Sequence, residues 1–214
     1  MARCIARLID PTEGAILIDG KDVARLGARA LRPHRKRVQI IFQDPYRSLN
    51  PRRTVGASMI EGPMNFGTSL LTAEERAKQL MRLVGLEPDA LSRFPHQFSG
   101  GQRQRICVAR ALAMQPEVLI ADEAVSALDV SVQAQVLALI DDVRRRFNLA
   151  VLFITHDLRV AAQICDRIAV MHRGAVVEEG ATRQVFGAPR HAYTRALFDA
   201  APGRDVEFGR FDTA

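Results

Sequence analysis

No apolar run in the chain approaches the roughly 18 residues that a membrane-spanning helix needs, and no charged segment at the N-terminus leads into an apolar core as in a secretory signal. Both lacks predict a cytoplasmic protein, peripheral on the inner face of the cell membrane only through a partner. Cysteine is scarce. Cys4, Cys107 and Cys165 are odd in number, far apart and without metal-ligand spacing, which predicts reduced packing residues rather than a disulfide framework or a metal site. Lysine is as scarce: Lys21, Lys36 and Lys78 stand among 30 basic residues, which against 24 acidic ones give a formal charge of +6. The arginines are scattered, and their densest groups, Arg35-Lys36-Arg37 and Arg144-Arg145-Arg146, have no interleaved aromatics, so nucleic acid is not an expected partner.

What is present suffices for a packed core. With 214 residues, 48% of them hydrophobic, the chain can build one α/β domain and a small subdomain. Its organising stretch is Pro116-Glu-Val-Leu-Ile-Ala-Asp122-Glu123. An apolar run from Val118 to Ala121, too short for a helix of its own, ends in two carboxylates and reads as a buried strand delivering acids to a sheet edge. Open α/β sheets bind ligands beyond the carboxyl ends of their strands, where Asp122 and Glu123 fall. Alone, such a pair reads more readily as the solvated start of a loop.

Its neighbours decide. Phe98-Ser99-Gly100-Gly101-Gln102-Arg103-Gln104-Arg105 precedes it, Ser126-Ala127-Leu128-Asp129 follows, and a second apolar strand, Val151-Leu-Phe-Ile154, runs into Thr155-His156-Asp157. In this order the four motifs closely resemble those of the ATP-binding-cassette ATPases, and the resemblance covers nearly the whole chain. It implies an α/β, P-loop NTPase-like nucleotide-binding domain with a helical subdomain and a small antiparallel β subsheet. It implies ATP and Mg²⁺ as ligands. Asp122 would hold Mg²⁺ through water, Glu123 would polarise the water attacking the γ-phosphate, and His156 would sense that phosphate. Gln43, after the strand Val38–Phe42, would contact Mg²⁺ and the attacking water and link them to the helical subdomain. Ser99, Gly100, Gly101, Gln102 and Asp129 would contact nucleotide. For Ser99 to Gly101 the residues themselves give a reason, since a serine cap and two glycines at a helix start expose N–H groups and the positive dipole end to an anion.

Taken in order, the chain opens with helical spacing from Met1 to Ile9 that lacks an N-terminal cap and is broken by Asp10-Pro11-Thr12. In the family this segment resembles the helix after the phosphate-binding loop, whose Gly-Lys-Ser/Thr is absent here. An N-terminally truncated core is therefore expected, with a strand lost from mid-sheet and apolar edges left unpaired. Met1 as an internal residue of a longer chain accounts for the uncapped helix and the otherwise complete motifs, and is preferred to a genuine short product. Gly14-Ala-Ile-Leu-Ile-Asp-Gly20-Lys21-Asp22 is no substitute. It has one residue too many between the glycines, and Asp22 would repel phosphate, so the stretch reads as a hairpin turning at Asp19-Gly20 with Lys21 solvated.

After an arginine-rich connector and the Gln43 strand, Thr54 to about Leu91 reads as the helical subdomain, with Thr72 and Glu75 as a capping box and Gly85 as a stop. Its exposed face would dock a helix from a membrane subunit. Gln102–Met114 and Val130–Phe147 read as helices, the second with Val132, Val136, Leu139, Ile140 and Val143 on its apolar face. Arg167–His172 and Ala175–Glu179 read as a closing strand pair. Residues 188–202 resemble the C-terminal extension of dipeptide, oligopeptide and nickel importer ATPases. The expected segments are 1–53 (truncated core), 54–97 (helical subdomain), 98–186 (signature motif and core) and 187–214 (extension).

The resemblance implies an ATP-hydrolysing subunit of a peptide or nickel importer. Its partners would be a second ATPase subunit, identical or different, transmembrane permease subunits and, indirectly, a solute-binding protein. Two alternatives stay open: a non-catalytic subunit lending Ser99 to Gly101 to a partner's ATP, and a soluble ATPase outside transport. Without the phosphate loop, residues 1–214 alone are expected to show no ATPase activity.

Overall fold

The computed structural model describes residues 1–200, so the expectation for Ala201-Pro202 lies outside it. The chain forms two compact units, Met1–Ile154 and a second that begins at Thr155.

In the first unit α1 (Ala2–Ile5) is shorter than its spacing predicts. The buried Arg7 pulls the chain away: its backbone turns left-handed (φ 52°) while its guanidinium donates to Val23 O at 2.9 Å and Leu26 O at 3.0 Å. Strands β1 (Leu17–Ile18) and β2 (Lys21–Asp22) form the expected hairpin around Asp19-Gly20, and Lys21 is exposed. N–H groups of Ala24 and Ile16 both donate to the Asp22 carboxylate and hold it below the usual carboxylate range, so Asp22 serves the turn.

The arginine-rich connector is corrected. Residues Ala28–Arg37 are a helix, α2, despite Pro33 within it and Leu31 as its one buried side chain. Polar ties hold it instead: Arg35 donates to Arg7 O and Arg37 to Glu117 at 2.7 Å. Strand β3 (Val38–Ile41) follows, then α3 (Pro45–Ser48), capped by the Asp44 carboxylate.

The helical subdomain comprises α4 (Val55–Asn65) and α5 (Leu70–Leu83), which pack with α6 (Gly100–Ala113). The Thr72–Glu75 capping box is corrected as well. Ser69 caps α5, accepting the Thr72 N–H at 3.2 Å, and the Thr72 hydroxyl pairs with that of Ser69. Leu70 and Leu71 in the first turn are exposed, so the apolar pattern begins later than the helix does. Gly85, at φ 71°, ends it as expected.

Strand β4 (Val118–Asp122), helix α7 (Val130–Phe147) and strand β5 (Ala150–Ile154) complete the unit. The parallel sheet runs β3-β4-β5, with Ile41 beside Ala121 and Asp122 beside Ile154. Central β4 is covered on both faces, which is why its sequence is a continuous apolar run rather than an alternation. Ala2, Ala6, Val38 and Ile120 form a core cluster on it, flanked by Ile5, Ile18 and Leu152. In α7 the buried face differs from the predicted one, since Leu137 and Asp141 are buried while Val132 and Leu139 are half-buried. Asp141 is tolerated there because Arg144 and Arg145 donate to its two oxygens, at 2.9 and 2.6 Å.

In the second unit α8 (Leu158–Ile164) precedes an antiparallel pair, β6 (Arg167–His172) and β7 (Ala175–Ala181), turning at Arg173-Gly174 as predicted. Helices α9 (Thr182–Gly187) and α10 (Ala192–Asp199) follow. The Glu178 carboxylate accepts the N–H groups of Arg190 and His191, and the His172 and Tyr193 rings stack at 3.9 Å, which fixes α10 to the hairpin.

Candidate functional site

The site is built on the carboxyl ends of β3 and β4. Because Ile41 pairs with Ala121, Gln43 and Glu123 emerge at the same level of the sheet edge. Asp122 and Glu123 are half-buried there. Glu123 has a left-handed backbone (φ 51°), a conformation costly for a residue with a side chain, and its N–H donates to Ile154 O at 3.0 Å. Strain of this kind survives where the surrounding structure imposes it, and the end of the central strand does so here.

A third residue, Ser126, ties the two strand ends together. Gln43 Nε2 donates to Ser126 Oγ at 3.1 Å, and that hydroxyl donates to Glu123 O at 3.0 Å. The sequence shows Ser126 as part of a motif, but gives no sign that it bridges Gln43 to Glu123. Only the parallel register, which puts the loop after β4 beside the loop after β3, brings them together.

The second cluster is the start of α6. Ser99 Oγ accepts the Gln102 N–H at 3.3 Å, and Gln102 Oε1 accepts the Ser99 N–H at 3.0 Å, a reciprocal cap. Gln102 is thus engaged within the helix start. Gly100 lies beside Leu128, and a Cβ on Gly101 would meet Val132 Cγ1 at 2.3 Å, so helix packing alone already demands the second glycine. Asp129, exposed at the N-cap position of α7, makes no side-chain capping bond. The loop 123–129 therefore spans from the strand-end carboxylates to the capped helix start. His156 belongs to the second unit, in the Thr155-His156-Asp157 turn before α8, where Asp157 accepts the Arg159 N–H.

A strand-end acid pair, a bridged glutamine and a serine-capped glycine start thus stand together in the first unit. The family model for ABC transporters matches residues 1–126, more than half of the chain. The chain belongs to the ABC transporter family. A putative peptide import ATP-binding protein of Brucella ovis is 49% identical over 209 residues, 97% of this chain and 66% of the relative. A glutathione import ATP-binding protein of Pectobacterium atrosepticum is 48% identical over 204 residues, 95% of this chain and 33% of the relative. The chain thus spans about two thirds of the Brucella relative's length. Among solved structures, the post-hydrolysis dimer of the ATP-binding cassette MJ0796 bound to ADP and Pi superposes with a TM-score of 0.75 at 28% identity, covering 85% of this chain and 79% of that one. CbiO1 of Clostridium perfringens gives 0.77 at 26% identity, covering 87% and 73%. The α/β ATPase fold with a helical subdomain and small antiparallel sheets is therefore that of the ABC ATPases. Among the described residues no helix is long and apolar enough to cross a membrane.

Proposed function

We propose that this chain is part of an ATP-binding subunit of an importer for small peptides, working at the cytoplasmic face of a membrane. The observation that carries the reading is Glu123 at the end of the central strand, strained and tied through Ser126 to Gln43. Such a carboxylate suits a general base that orients water for attack on a γ-phosphate. The names of the peptide and glutathione import relatives support the substrate class.

Ser99, Gly100 and Gly101 would face the phosphates of ATP held by a second ATPase chain. The Ser99 hydroxyl already accepts an N–H and keeps its own hydrogen for a phosphate oxygen, while N–H groups at the start of α6 add a positive end. Asp129 and Gln102 would flank this contact, and His156 would sense a γ-phosphate.

Among the described residues no group of three His, Cys, Asp or Glu side chains is gathered as a metal cage. That suits Mg²⁺ arriving with nucleotide, because this ion keeps several waters and takes only one or two carboxylates besides substrate phosphates. Asp122 and the Gln43 side-chain oxygen are the hard donors that would hold it, and it would supply charge neutralisation. The exposed Met64, Leu70 and Leu71 on the helical subdomain support docking of a permease helix there. A solute-binding protein would act through that permease.

The test is ATP turnover by the complex of the ATP-binding subunit of which this chain is part with its partner ATPase and permease subunits. Glu123→Gln should lower turnover by about 10²–10⁴-fold. Unchanged turnover in that variant overturns the reading.

A further inference from the structure

Arg103 is a cation buried where two segments of the site meet, with 5% of its surface exposed. Its Nε donates to Pro95 O at 2.9 Å and its Nη2 to Phe98 O, so one guanidinium grips both ends of the segment that leads directly into Ser99. The flat face of the same group lies 3.4 Å from the centre of the Tyr46 ring. Tyr46 stands three residues after Gln43 in α3, and its N–H is held by Asp44 at 2.8 Å.

These contacts leave the charge in a delicate balance. The described partners of Arg103 are two carbonyls and a ring, and its Nη1 is buried without a hydrogen-bond partner among the described residues. A buried guanidinium without a carboxylate depends on such weak dipoles and on the ring quadrupole. Tyr46 is 63% exposed, so packing does not pin the ring on its other side.

We infer that Arg103 is a positioning residue that sets the placement of the Ser99 cap according to where the Gln43 segment carries the Tyr46 ring. When α3 shifts, the stacked guanidinium follows the ring, the carbonyls of Pro95 and Phe98 follow the guanidinium, and Ser99 moves with Phe98. The inference rests on the ATP-site reading above. Ser99 would meet phosphate only as two ATPase chains close on nucleotide, so the device acts on kcat and leaves the KM for ATP unchanged.

The test is ATP turnover by the complete complex with its partner ATPase and permease subunits, alongside the Glu123→Gln complex. Tyr46→Leu removes the ring face at an exposed position and should lower kcat about tenfold with KM unchanged, while Tyr46→Phe, which keeps the face, should match wild type. Arg103→Lys keeps the charge but not the fork that reaches two carbonyls, and should lower kcat similarly. The double variant Arg103→Lys/Tyr46→Leu should be no worse than Arg103→Lys alone. A Tyr46→Leu complex with wild-type kcat, a Tyr46→Phe complex as slow as Tyr46→Leu, or effects that multiply in the double variant overturn the inference while Glu123→Gln still lowers turnover as expected above. A complex indifferent to Glu123→Gln removes the functional reading and this inference with it.

Discussion

Alanine at position 101 should convert a helix-favouring exchange into a destabilising one. Replacing glycine by alanine within a helix ordinarily stabilises by about 1 kcal/mol. Here the added Cβ would lie 2.3 Å from Val132 Cγ1, well inside the roughly 3.5–4.0 Å optimum between carbons. Val132 sits in the first turn of α7, and a β-branched side chain in a helix has one strongly preferred rotamer, so it cannot swing aside at low cost. Overpacking costs about 1–3 kcal/mol, and an overlap this deep belongs in the upper half of that range. The net loss is then about 1–2 kcal/mol, or roughly 2–8 °C in the midpoint of a protein this size. Val132→Ala deletes both methyl groups, and the nearest remaining Val132 atom is its Cβ, at 3.6 Å, an ordinary contact. In that background Gly101→Ala should be neutral or stabilise by up to about 1 kcal/mol. Thermal unfolding of the wild type, both single variants and the double, followed by far-ultraviolet circular dichroism, reads the sign directly. An equal loss in both backgrounds, or a raised midpoint for Gly101→Ala alone, refutes the packing argument.

Ser126→Ala removes the bridge between Gln43 and Glu123, and loss of about 1.5 kcal/mol should lower ATP turnover of the complex roughly tenfold; unchanged turnover would deny Ser126 that role. Asp141→Ala strips Arg144 and Arg145 of their shared carboxylate inside α7 and should cost about 1–3 kcal/mol in denaturant unfolding, whereas an unmoved midpoint would mean the pair contributes nothing. The Arg37 guanidinium donates to Glu117 and holds its carboxyl below the ordinary value of 4.5. A depressed carboxyl contributes stability that is complete above that ordinary value and is lost as pH falls below it, so Glu117→Gln should flatten the acid limb of the stability curve, and an unchanged limb would contradict the assignment. Burial pushes the thiols of Cys107 and Cys165 up to about 11. At pH 8 about one in a thousand of each is thiolate, so peptide mapping after alkylation of the native protein should find the half-buried Cys4 modified first, and Cys107 labelled equally fast would count against the packing.

The strands and helices that bear the motifs were legible because each is bounded by a local signal. Val118 to Asp122 is an apolar run closed by acids, Ser99 and two glycines open a helix, and Val130–Phe147 carries apolar residues at helical spacing. Helix Ala28–Arg37 was hidden because its support comes from Arg7 O and Glu117, distant in sequence, while Pro33 argued locally against it. The cap of α5 was misjudged by three residues because its first turn exposes Leu70 and Leu71, which pattern reasoning assigns to a buried face. The residue types at the site were visible, but the Gln43–Ser126–Glu123 bridge and the Arg103–Tyr46 stack were not. Both join segments about 60 to 80 residues apart, and only the sheet register and the course of α6 make them neighbours.

The two glycines after Ser99 look alike in sequence yet answer to different demands. Gly101 is required by the fold, since Val132 fills the space its side chain would take. Gly100 meets no such limit, because its added Cβ would find Leu128 Cδ2 at 3.8 Å, an ordinary contact. Gly100→Ala should therefore leave stability within about 0.5 kcal/mol of wild type. If the start of α6 receives a phosphate, the same methyl stands where the backbone must be approached, and turnover of the complex should fall while the unfolding midpoint holds. Loss of both would return Gly100 to packing, and loss of neither would remove the phosphate from this helix start. Position 100 thus separates what the fold needs from what a ligand would need, one residue away from a glycine that packing alone already requires.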